Sequence, residues 1–148
     1  MNNQDKQKYI FGSLFLLANK LQVKGDAYLA DDEMTTKQWF LIVMISQFKD
    51  TPPMLSEVAN LMGSTRQNVK QLALKLEEKG FLVIEKDQND NRILRLRLTE
   101  KNNKFWDKRD AKDNSFVENL FKNFTKEEID VMYHGIEKML EAVKDESI

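Results

Sequence analysis

Residues 55–99 read LSEVANLMGSTRQNVKQLALKLEEKGFLVIEKDQNDNRILRLRLT. Leu55, Val58, Ala59 and Met62 recur at helical spacing, and Gly63 closes that segment after only two turns. Ser64 or Thr65 then caps a second segment, in which Val69, Leu72, Ala73 and Leu76 follow the i, i+3, i+4, i+7 pattern before Gly80 ends it. A short helix, a glycine turn and a longer helix make a helix-turn-helix. Leu74 fits neither face of the longer helix. From Phe81 the period changes from 3.6 to 2. Phe81 to Lys86 is β-prone, Gln88 to Asn91 is a dense turn signal, and Arg92 to Leu98 alternates, with Leu94, Leu96 and Leu98 inward and Ile93, Arg95 and Arg97 outward. A two-stranded hairpin is not stable alone, so its leucines must pack on the preceding helices as a wing.

Working outward, Pro52 and Pro53 force an extended entry into this unit. Before them, Thr35 to Gln38 forms a capping box, and the run Trp39 to Ile45, apolar on every side, reads as a buried helix. From about Asp5 to Lys24, Ile10, Leu14, Leu17 and Leu21 form a stripe widened by Phe11, Phe15 and Ala18, with Gly25 as the expected stop and the acidic connection Asp31-Asp32-Glu33 beyond it. On the other side, Thr99 caps a long, mostly polar helix reaching Phe121, anchored by Phe105 and Trp106 early and by Val117, Leu120 and Phe121 late, with a solvated middle. A second capping box at Thr125 to Glu128 opens a last helix with Ile129, Met132, Tyr133, Ile136, Leu140 and Val143 on one face. Terminal helices this apolar need a partner. The expected class is mainly α with a small β-hairpin wing (α+β).

Composition narrows the chemistry. The chain has 148 residues, 23 Lys+Arg against 24 Asp+Glu, no Cys and one His. That is room for one domain or one protomer, with no disulfide, no thiolate metal site and no His cluster, His134 standing alone. No cofactor is expected. A glycine-rich phosphate loop, a Cys nucleophile and a G-x-S-x-G elbow are all missing from the sequence, so it does not read as an enzyme. The paired acids Glu127-Glu128 and Asp31-Asp32 answer to helix N-terminus electrostatics. No leader pattern and no run near the roughly 18 apolar residues of a membrane span is visible, so the expected location is cytoplasmic, away from membranes.

Charge is unevenly placed. Residues 64–97 hold eight basic and five acidic side chains, a net +3 that leaves −4 on the rest of a chain whose formal charge is −1. A phosphate-facing surface needs such local excess, although a solvated face can have it too. With the apolar stripe inward, Arg66, Gln67, Asn68, Lys70, Gln71 and Lys75 fall on the outer side and N-terminal end of the second helix of the pair, the part a recognition helix puts into a major groove. Arg can grip guanine O6 and N7, Gln or Asn can pair with adenine, and Ser64, Thr65 and the N-terminal amides can hold phosphates. A generic amphipathic helix is the competing reading. At the wing, Asp90 lies close enough to orient Arg92, and an arginine at a hairpin tip suits a narrow minor groove. The same pair also reads as a surface salt bridge, and Arg95 and Arg97 as phosphate contacts or as nothing.

These residues resemble the MarR family of winged helix-turn-helix transcriptional regulators. The wing pattern D-x-R-x-x-x-[hydrophobic]-x-L-T is matched by Asp90, Arg92, Leu96, Leu98 and Thr99, and L-E-x-K-G-[hydrophobic] by Leu76, Glu77, Lys79, Gly80 and Phe81. The resemblance implies a winged helix-turn-helix lobe over 34–99 and dimerisation helices over 1–33 and 100–148, in a homodimer that binds double-stranded DNA at a near-palindromic operator, as a repressor. It makes Thr65 to Gln71 the major-groove readers and Arg92 the minor-groove arginine with Asp90 as its orienting partner. Ligand-responsive members have an apolar cleft beside the lobe, where Phe11, Phe15, Trp39 and Met44 would line a site for a small aromatic or amphipathic effector; the same residues serve equally as plain core. Thiol sensing is excluded by the lack of Cys. The competing function is a winged-helix protein–protein interaction module that does not bind DNA.

Overall fold

Thr35 sets the start of the central helix as its spacing requires. Its hydroxyl accepts from the Gln38 amide at 3.1 Å while the Gln38 side chain accepts from the Thr35 amide at 3.1 Å. The helix that follows, α2 (Thr36–Ser46), buries Leu41, Ile42 and Ile45. The structure, a computed structural model, describes residues 1–144. Two compact units divide it, Met1–Lys104 and a second beginning at Phe105.

In the first unit, α3 (Leu55–Met62) ends at Gly63, whose φ of 67° is the left-handed cap that glycine adopts without Cβ strain. Thr65 caps α4 (Arg66–Glu78), accepting from the Asn68 amide at 3.1 Å. Val69, Ala73 and Leu76 are fully buried beneath α4, and Gly80, at φ 82°, turns the chain into the wing. Strands β1 (Leu82–Lys86) and β2 (Leu94–Leu98) pair antiparallel, Leu82 opposite Leu98 and Ile84 opposite Leu96. Leu96 sits in the core with Leu82, Phe81, Leu55 and Val58. Burying side chains of this size stabilises by about 1.5–3 kcal/mol each, which is what holds so short a hairpin on the helices. A third extended segment joins it: Met54 bridges to Arg95, and the Leu96 amide donates to the Pro53 carbonyl at 2.9 Å. The two prolines therefore enter along the outer edge of β2, where a missing N–H costs nothing.

Two sequence expectations change here. The first helix, α1 (Asn3–Leu29), runs through Gly25 instead of stopping there. Gly25 is buried, and a Cβ on it would collide with the Thr36 hydroxyl, so the glycine serves a close helix crossing. The Thr36 hydroxyl donates to the Gln22 carbonyl at 3.2 Å and its amide donates to Asp26 at 2.8 Å, locking that crossing. The helix ends instead in a 3-10 turn, Ala30–Asp32, closed by Glu33 at φ 55°. The second change concerns α5 (Glu100–Leu120), whose middle is not wholly solvated: Arg109 is buried, pairs with Asp113 at 3.3 Å and lies over the rings of Phe105 and Trp106.

Thr99 caps α5 as expected, accepting from the Asn102 amide at 3.2 Å, and its hydroxyl also donates to the Gly80 carbonyl at 2.6 Å. The last helix, α6 (Lys126–Ala142), opens on the expected Thr125–Glu128 box. Its apolar face (Ile129, Met132, Tyr133, Ile136, Leu140) is exposed, as are Ile10, Leu17 and Leu21 on α1. Among the described residues no helix is long and apolar enough to cross a membrane.

Candidate nucleic-acid interface

One side of the helix-turn-helix is built for exposure. The three fully buried positions of α4 fix its rotation, and Thr65, Arg66, Gln67, Asn68, Lys70, Gln71 and Lys75 all come out exposed, with Ser64 half-buried at the turn. Among the described residues, Arg66, Lys70 and Lys75 form no ion pair within the chain. Arg66, Gln67 and Lys70 line a groove of about 220 Å³ with Leu55 and Leu94, at the foot of the wing. A second groove, of about 440 Å³, runs between Arg66 and Ser64 on one side and Ser56, Glu57, Ala59 and Asn60 of α3 on the other. Leu74, which fitted neither face, is exposed.

The wing arginines behave differently. Arg92 projects from the tip with 90% of its side chain exposed, held by Asp90 through two bonds of 3.0 Å each, while its amide donates to the same carboxylate at 3.0 Å. The Arg92 guanidinium holds the Asp90 carboxyl below its ordinary pKa, and Asp90 in turn raises that of Arg92. Arg97 pairs with Glu85 at 3.1 Å on the exposed face of the hairpin. Arg95, expected to point outward, instead folds back: Nε donates to Asp87 at 2.5 Å and Nη1 to the Pro52 carbonyl at 2.7 Å. Among the described residues, the three hairpin arginines are therefore each paired with a carboxylate, whereas Arg66, Lys70 and Lys75 of α4 are not.

Asp87 escaped the sequence reading. Its second oxygen accepts from the amides of Asn89 and Asp90, each at 3.1 Å, and the Arg95 hydrogen bond chiefly lowers its pKa. An aspartate opening a D-Q-N-D turn is the signal that was there to be used, since Asp caps the amides two and three residues on. The residues suggested for an effector cleft are only partly brought together. Phe11 and Phe15 meet edge to face, 5.2 Å between centroids, but are 64% and 62% exposed, and Trp39 too is exposed, so these three are not walled into a cavity of the single chain. His134 is exposed beside Glu137. Among the described residues no group of three or more His, Cys, Asp or Glu is placed to hold a metal ion.

This arrangement of helices, wing and exposed α4 is found in solved structures. The MarR protein from Peptoclostridium difficile DA00132 superimposes with a TM-score of 0.79 at 22% identity, covering 91% of this chain and 87% of that one. The fold is that of the MarR regulators. The same MarR-type fold is seen in the S. aureus MepR–DNA complex, with a TM-score of 0.76 at 20% identity over 92% of this chain and 97% of that one. In sequence, the transcriptional repressor MprA of Escherichia coli K12 is 40% identical over 50 residues, which is 34% of this chain. That match spans only 28% of the repressor's length. No family model matches the chain. Of these proteins, MprA is a transcriptional repressor and MepR was crystallised with DNA.

Proposed function

We propose that the protein is a homodimeric, sequence-specific DNA-binding transcriptional regulator, a repressor acting at a near-palindromic operator. The observation that carries the reading is that Arg66, Lys70 and Lys75 are all exposed, and without ion-pair partners among the described residues, on a helix whose inner face is fixed by Val69, Ala73 and Leu76. Three cations spread over the solvent-facing surface of one helix give a local positive potential that attracts a polyanion, and the exposed polar Gln67, Asn68 and Gln71 offer donors and acceptors for base edges. The exposure of Arg92 at the wing tip and its two bonds to Asp90 support a role as the minor-groove arginine. The second copy is called for by the apolar faces of α1 and α6, which a single chain leaves in water.

Fluorescence anisotropy with duplexes from the protein's own promoter region tests the reading, comparing wild type with an Arg66→Ala/Lys70→Ala/Lys75→Ala variant. Binding by the wild type and its loss in the variant is the expected result. A wild type that ignores every duplex while holding a protein partner tightly would establish the interaction-module reading instead.

A further inference from the structure

Arg95 is the one hairpin arginine turned away from solvent, with 28% of its side chain exposed against 90% for Arg92. Its guanidinium spans two elements, since Nη1 donates to the Pro52 carbonyl at the entry to α3 while Nε donates to Asp87 at the base of the wing tip. Asp87, 14% exposed, accepts from the Asp90 amide with its other oxygen, and Asp90 grips Arg92. The connections run without a gap: Pro52, Arg95, Asp87, Asp90, Arg92. The strand ladder below, continued by the Asp87 amide donating to the Ile93 carbonyl at 2.9 Å, fixes the hairpin body, while Arg95 adds a charged side-chain link from the tip to the segment leading into α3.

We propose that Arg95 and Asp87 are positioning residues for DNA recognition: they tie the wing tip to the Pro52 carbonyl and so aim Arg92, and Arg95 itself does not contact phosphate. The inference rests on the DNA-binding reading above and adds a residue pair to it. It follows from geometry. A charge-assisted bond of 2.5 Å, half sheltered by the protein, is stronger than anything an exposed tip can offer, and the Pro52 carbonyl has no ladder partner to lose when it accepts from Arg95. These two bonds use two of the five guanidinium N–H groups, but with 28% of its side chain exposed and its charge offset by Asp87, Arg95 is poorly presented to a phosphate. An arginine tip that swings freely must be ordered at the moment of binding, and ordering it beforehand removes that entropic cost.

The decisive variant is Asp87→Asn. It raises the charge of the wing by one, so a purely electrostatic role for this region predicts binding that is equal or tighter. Loss of aim predicts weaker binding, by about five- to tenfold, the size expected of coupled contacts. Arg95→Ala should weaken binding by a similar factor, and the slope of log affinity against log salt should stay at the wild-type value, because no phosphate contact is lost. In an Arg92→Ala background both substitutions should change affinity by less than about twofold, since there is no longer an arginine to aim. Should Arg95→Ala melt early by circular dichroism, Asp87→Asn carries the comparison, together with NMR order of the Arg92 Nε–H in the free protein, expected to fall in that variant. Tighter binding by Asp87→Asn, a shallower salt slope for Arg95→Ala, or full additivity with Arg92→Ala would overturn the proposal. A wild type without duplex binding would instead remove the reading it rests on.

Discussion

Lys70→Ala puts a number on the electrostatics of α4. Arg66, Lys70 and Lys75 are exposed and lack ion-pair partners among the described residues, whereas Arg92, Arg95 and Arg97 each face a carboxylate. Counting only the first three, a dimer brings about six cations to phosphate, and a release of about 0.9 counterions for each gives a log–log salt slope near −5. Lys70→Ala removes one per protomer, so the slope should flatten by about 1.8. Between about 50 and 200 mM salt the wild type should then lose roughly 2,000-fold in affinity and the variant only about 150-fold. Anisotropy titrations at four or five salt concentrations resolve that difference easily. Lys104→Ala is the control: Lys104 is exposed on α5 and pairs with Glu100 at 3.8 Å, so its removal should leave the slope alone. An unchanged slope for Lys70→Ala, or a wild-type slope shallower than about −2, would refute the assignment of α4 to phosphate and groove contact.

Arg66→Ala should relax base preference at one position of each half-site by about 1–3 kcal/mol, read from a duplex array, and preference unchanged at every position would remove Arg66 from base readout. Gly25→Ala should destabilise the fold by about 1–3 kcal/mol in urea titrations, because overpacking against Thr36 outweighs the roughly 1 kcal/mol that alanine adds to helix propensity; a stabilised variant would show that the crossing has slack. Asp87 and Asp90 both have lowered pKa values, so their contribution to wing stability is complete above the unfolded value of about 3.9 and is lost only as pH falls through the lower folded values. Carboxyl NMR titration should therefore find both groups below that value, and Arg92→Ala should return Asp90 upward; an Asp90 that titrates normally in the wild type would contradict the bidentate pair.

Local rules were enough wherever a residue's task is done within a few neighbours. Thr35 with Gln38, Thr65 before Asn68, Gly63 between two helices and Thr125 with Glu128 all act over three residues, and each sits where its spacing put it. The face of α4 was equally legible, because three buried positions on one stripe determine where Arg66 and Lys70 point. Gly25 misled for the opposite reason. A glycine after an apolar stripe is a stop by local grammar, and only Thr36, brought across from the next helix, shows that it permits a crossing. Arg95 is the same kind of case: alternation along β2 sends it outward, yet its partners are the Pro52 carbonyl, 43 residues earlier, and Asp87 across the hairpin. Period-2 reasoning assigns a side of the sheet and says nothing of a long side chain that curls back to an edge.

The decisive measurement is selection of random duplexes by the purified protein. A twofold pair of winged helix-turn-helix lobes presenting α4 to successive major grooves predicts an enriched site with inverted half-sites centred about 10 to 10.5 base pairs apart. Enrichment of a single unsymmetrical element, or of nothing, would contradict it.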